Sequence, residues 1–70
     1  VKPGRVVILG GGIVGTEAAR MAIGMGAQVT ILDVNVDRLS YLETIFGSRA
    51  ELLYSNSSHI EEFVPQADLL

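Results

Sequence analysis

Three observations in this sequence predict an α/β protein built on a parallel sheet. Short β-branched runs alternate with segments of helical period, which implies right-handed crossovers between parallel strands. A glycine turn, Gly10-Gly11-Gly12-Ile13-Val14-Gly15, joins the first such run to the first helical segment. An acid, Asp33, closes the second run eighteen residues after Gly15. Together they read as a Rossmann-type fold, of which these 70 residues hold the first mononucleotide-binding half: β-α-β-α-β-α plus a strand stub, strand order 3-2-1.

Each element has its own signal. Pro3-Gly4 marks a turn, and residues 5–9 form a β-branched run with little alternation, the pattern of a strand covered on both faces. The first helix is expected from Ile13 to about Met25. Val14, Gly15, Ala18, Ala19, Met21, Ala22 and Met25 read as its core face, and Thr16, Glu17 and Arg20 as its solvent face. Small residues on the inner face permit close approach to the sheet. Gly24 costs about 1 kcal/mol of helix propensity, and Gly26 provides a left-handed stop. Residues 28–32 repeat the strand signal and deliver Asp33 to the carboxyl edge, where ligands of open α/β sheets bind.

Asn35 is suited to cap a second helix, with Val36, Leu39, Leu42, Ile45 and Phe46 at helical spacing and Gly47 after the last turn. Residues 50–54 form a third strand. Ser55-Asn56-Ser57-Ser58 is then a polar loop, and Ser58 with Glu61 makes a capping-box pattern opening a short helix through Ile60, Phe63 and Val64, ended by Pro65. Ala67-Asp68-Leu69-Leu70 resembles the start of another buried strand, expected beside the first. There is no internal repeat or flexible linker.

Composition narrows the function. Seventy residues suffice for one small domain, whereas a parallel α/β architecture usually needs about twice that, so residues 1–70 read as a partial dinucleotide-binding domain. A net charge of −3 without a basic stripe argues against nucleic-acid binding. The absence of cysteine removes disulfides and thiolate metal sites and fits a reducing compartment. No apolar run approaches the roughly 20 residues of a membrane span, so a cytoplasmic protein without a membrane partner is expected.

The glycine turn and the acid carry the chemistry. Gly10 allows the sharp turn from strand to helix, Gly12 leaves space for a pyrophosphate to approach the main chain, and Gly15 lets the helix lie close to the strands. The amides of the first helical turn, with the helix dipole behind them, then face phosphate oxygens. Asp33 at the end of the second strand accepts hydrogen bonds from a ribose and repels a 2′-phosphate, which favours NAD over NADP. Arg38, just into the next helix, softens that discrimination if it reaches the site.

Plainer roles stand beside these. The glycines also suit a mere tight turn, and Asp33 suits the cap of the turn into the second helix. His59 has no visible carboxylate or nucleophile partner and reads as a solvated helix start. Tyr41 reads as a helix flank, Tyr54 as a strand packing residue, and Met21 and Met25 as a core stripe. Glu61-Glu62 suits a helix N-terminus and needs no metal.

Longer stretches carry a family resemblance: Lys2-Pro3-Gly4, residues 6–19, residues 24–30, Asp33-Val34-Asn35-Val36-Asp37-Arg38-Leu39 and Leu52-Leu53-Tyr54-Ser55-Asn56-Ser57. Nearly the whole chain resembles the NAD domain of bacterial L-alanine dehydrogenases, with related domains in proton-translocating transhydrogenases. The resemblance implies oxidative deamination of L-alanine to pyruvate and ammonium with hydride passing to NAD, and the reverse amination. It implies cofactor contacts at the glycine turn with Ile13 and Val14, at Asp33, at Arg38 and at Ser55 near the adenine. It places no catalytic residue within these 70, and implies a small-molecule substrate held by another domain and a homo-oligomer, a hexamer. A transhydrogenase nucleotide module and a non-catalytic NAD-sensing domain are the competing readings.

Overall fold

Where β-branched runs alternate with helical periods, the computed structural model, which describes residues 4–56, contains strands and helices in the same alternation. The order is β1 (Arg5–Leu9), α1 (Ile13–Gly24), β2 (Gln28–Asp33), α2 (Val36–Phe46), a 3₁₀ turn (Gly47–Arg49) and β3 (Ala50–Tyr54). The three strands form one sheet in the order β1-β2-β3, all parallel, which is the expected 3-2-1 order viewed from the other edge. The short helix around Ser58 and Glu61, His59, and the strand stub lie outside the described residues.

Register positions the site. Leu9 is level with Leu32, and Asp33 with Tyr54. All three strands therefore end along one edge, which brings Gly10, Asp33 and Ser55 together from distant parts of the chain.

Side-chain alternation explains the layers. On one face, Ile8, Val29, Ile31 and Ala50 pack with Ala19 of α1 and with Leu42 and Phe46 of α2, flanked by Val6 and Leu52. Val7 and Leu32 are buried on the opposite face, against Leu53. Ile31, Leu32, Leu42 and Val7 are the largest fully buried side chains. Each contributes about 1.5–3 kcal/mol relative to an exposed position. Thr30, also buried, directs its hydroxyl to the Glu51 carboxylate across the β2–β3 pair at 3.4 Å.

α1 buries only part of the expected face. Thr16 and Ala19 are its buried residues, with Ala22 and Ile23 packing partly against the core, while Val14, Met21 and Met25 are exposed. Ala18, Ala19 and Ala22 of the expected face do pack on the core, so the buried stripe is shifted toward Thr16 and Ile23 and away from Val14, Met21 and Met25. Its phase is set at the glycine turn, where Gly15 is pressed against Gly10 and Thr16 bonds back to Gly11. Met21 and Met25 are therefore not a core stripe among the described residues, and Thr16 is not a solvent residue. α1 also closes at Gly24, with Met25 as its cap and Gly26 at φ +86° behind it. The 3₁₀ turn after α2, where Arg49 donates to the carbonyls of Ile45 and Phe46, was not signalled by any periodicity.

Candidate functional site

The site is built around the end of β1. Gly10 continues the sheet by one bond, its N–H donating to the Leu32 carbonyl at 2.7 Å, and then turns the chain at φ +100°, a conformation L side chains rarely adopt. Gly12 is the N-cap of α1, and no side chain caps that helix end. The first turn of α1 also holds no acidic residue. Its amides have no acceptor within the helix and keep the positive end of the helix dipole unneutralised.

The space in front of these amides is open. A Cβ on Gly12 would meet nothing within 4 Å. A cleft of about 510 Å³ lies between Ile8 and Leu9 at the end of β1 and Gly12, Ile13, Val14 and Gly15 at the start of α1. That volume is within the range of small-molecule sites. Ile13 and Val14 are 81% and 83% exposed at its mouth. Gly15 has the opposite character: a Cβ there would collide with the Gly10 carbonyl oxygen and stand 3.2 Å from Ile8 Cγ2. Gly15 therefore serves packing, whereas Gly12 serves access.

Asp33 faces the same turn. Its Oδ2 accepts from the Gly11 N–H at 2.7 Å, and its Oδ1 accepts from the Asn35 N–H at 2.9 Å. Those two amides, Asn35 first and Gly11 second, hold the Asp33 carboxyl below its ordinary value of 3.8, with burial opposing and the Val34 amide and Arg38 charge assisting. The acid thus performs the turn-capping role, and the same side chain reaches the glycine turn. A second cleft, of about 210 Å³, is lined by Leu9, Gly10, Leu32, Asp33, Val34 and Ser55. The Ser55 N–H donates to the Asp33 carbonyl at 2.8 Å, which extends the β2–β3 ladder and fixes Ser55 beside the acid.

Arg38 sits behind the turn. Its Nε donates to the Gly11 carbonyl, its Nη2 lies 3.4 Å from Thr16 Oγ1, and its guanidinium carbon stands 4.8 Å from the centre of the Tyr41 ring. The structure therefore groups Gly10, Gly12, Ile13, Val14 and Gly15 around one cleft and Gly10, Asp33 and Ser55 around the other. Arg38 lies against the loop itself.

Two residues of this arrangement were not singled out from the sequence. Gly11 is one: a Cβ there would collide with Leu42 Cδ1 and stand 3.2 Å from Asp33 Oδ2. Thr16 is the other, 6% exposed, its hydroxyl donating to the Gly11 carbonyl at 3.1 Å. The middle glycine of the triplet and a hydroxyl directly after Gly15 were the available signals. Among the described residues no group of three or more acidic or histidine side chains is placed to hold a metal, and no helix is long and apolar enough to cross a membrane.

This geometry has close counterparts. The family model described as the alanine dehydrogenase/PNT C-terminal domain matches residues 1–70. The alanine dehydrogenase of Methanococcus maripaludis is 61% identical over all 70 residues, which make up 19% of that protein. That of Bacillus subtilis is 54% identical over the full chain, 18% of its own length. A solved structure titled L-alanine dehydrogenase superposes with a TM-score of 0.94 at 74% identity, covering 99% of this chain and 19% of that one. The chain thus spans about a fifth of the proteins it matches. With this fold, and with a family match over its entire length, the chain belongs to the alanine dehydrogenase/PNT C-terminal domain family.

Proposed function

We propose that this chain is the NAD-binding portion of an alanine dehydrogenase, and that residues 1–70 are part of a Rossmann domain whose whole protein oxidatively deaminates L-alanine to pyruvate and ammonium. The observation that carries this reading is the bare N-terminus of α1, open in front of Gly12, with the Asp33 carboxylate beside the same turn. Identity of 50–61% to proteins named alanine dehydrogenase supports the reaction.

NAD, when bound, supplies the hydride acceptor. The residues here bind and orient it. The first amides of α1 receive the diphosphate, with Gly12 leaving the approach open and Gly15 holding the helix against β1. Asp33 accepts from the adenosine ribose, and Ser55 lines the adenine side. Ile13 and Val14 cover the cofactor at the cleft mouth. Arg38 completes the set from behind the loop. The catalytic groups and the L-alanine site belong to other parts of the protein, which is read as a cytoplasmic homo-oligomer, a hexamer by family resemblance.

Two glycine variants of the full-length protein separate binding from folding. Gly12→Ala adds a methyl group where nothing stands within 4 Å, so stability is expected to fall by no more than about 1 kcal/mol, the cost of alanine at an N-cap, while the NAD dissociation constant rises. Gly15→Ala forces a methyl group onto the Gly10 carbonyl and is expected to cost about 1–3 kcal/mol of stability. Wild-type NAD affinity in Gly12→Ala removes the diphosphate assignment. Failure of the full-length wild type to reduce NAD with L-alanine removes the enzymatic one.

A further inference from the structure

We propose that Thr16 and Arg38 are positioning residues that clamp the Gly11 carbonyl and so aim the Gly12 amide at the N-cap of α1, an inference that rests on the NAD-binding reading above. Three elements converge on Gly11. From β2, Asp33 Oδ2 takes its N–H at 2.7 Å. From α1, the Thr16 hydroxyl donates to its carbonyl at 3.1 Å, and from α2, Arg38 Nε donates to the same oxygen. The clamp is itself braced, because Arg38 Nη2 reaches Thr16 Oγ1 at 3.4 Å and the guanidinium rests over Tyr41.

The consequence follows from peptide planarity. The Gly11 carbonyl shares its peptide plane with the Gly12 N–H, and in a trans peptide the two point in opposite directions. Holding the oxygen toward Thr16 and Arg38 turns the Gly12 N–H away from them. Because Gly12 is the N-cap of α1, the clamp sets the entrance to the bare amides before any ligand arrives. Thr16 is 6% exposed, so whatever it contributes to binding passes through Gly11 and not through contact with ligand.

Arg38 commits one edge of its guanidinium to the loop. Nε and Nη2 form one of the two edges with which a guanidinium forks an oxyanion, and the loop already fills it. Because these contacts act through Gly11, the clamp bears on NAD and NADP alike.

The test titrates the full-length protein with NAD, NADP and ADP, the last as a diphosphate probe. Thr16→Val keeps the shape and removes the hydroxyl. It is expected to raise the dissociation constants for NAD and ADP about tenfold, and Thr16→Ser to restore them to within about twofold. Arg38→Met, which leaves the core untouched, is expected to weaken NAD and NADP by the same factor. The double variant is expected to lose less than the product of the singles, since both act on one oxygen. Wild-type NAD affinity in Thr16→Val, or a loss confined to NADP in Arg38→Met, overturns the proposal and leaves the NAD-binding reading intact. Absence of NAD binding by the unaltered protein overturns that reading instead.

Discussion

Asp33 caps the turn into α2 and holds the glycine turn with one carboxylate, and the proposed ribose contact needs only the acceptors that remain. A carboxylate offers about four acceptor positions, so bonds to the Asn35 and Gly11 amides leave room for ribose hydroxyls. In the full-length protein, Asp33→Ala is expected to weaken NAD about tenfold and to narrow its preference over NADP, because acceptor and like-charge repulsion disappear together. An unchanged NAD-to-NADP ratio contradicts this. The depressed pKa adds a pH dependence whose sign is fixed. The folded value lies below the ordinary 3.8, so this contribution to stability is fully present above that pH and is lost as pH falls through the folded value. Asp33→Asn is accordingly expected to flatten the acid limb of a plot of urea midpoint against pH. The position of Asp33 was legible because an acid closing a strand after a glycine turn has few other uses. The roles of Gly11 and Thr16 were not, since a hydroxyl type reads as surface and only the folded backbone shows which carbonyl it meets.

The two helices begin in contrasting ways, and the contrast marks the site. α2 is completed by its own chain: the Asn35 side chain accepts from the Arg38 N–H at 3.0 Å, and Asp37 sits in the first turn. α1 has neither device. Asn35→Ala is expected to cost about 1 kcal/mol of stability, read from denaturant unfolding, because it orphans an amide that nothing else caps. The limits of β1 could be read from sequence because a β-branched run there is bounded by proline and glycine, and the end of β3 because serine follows Tyr54. The Asn35 cap and the Gly47 stop were equally legible. The buried face of α1 was legible only in Ala18, Ala19 and Ala22, because its phase is dictated by the loop geometry at Gly10, Gly11 and Gly15, while Met21 and Met25 bias an apolar count toward one side.

On the scale of the molecule, the parallel order and the register place chemistry from three separate segments on one edge. The family match over residues 1–70 agrees with that architecture, and the chain spans about a fifth of the length of the relatives it matches. The ladder runs one bond past each strand junction, through the Gly10 N–H to Leu32 and the Ser55 N–H to Asp33, so the floor of the site is part of the sheet. The amides of Ile13, Val14 and Gly15, by contrast, find no acceptor inside α1. Deuterium uptake should divide along that line. Gly10 and Ser55 are expected to exchange as slowly as the strands with or without NAD. Ile13, Val14 and Gly15 are expected to exchange quickly until the dinucleotide occupies them, leaving a footprint three residues wide on an otherwise unchanged frame.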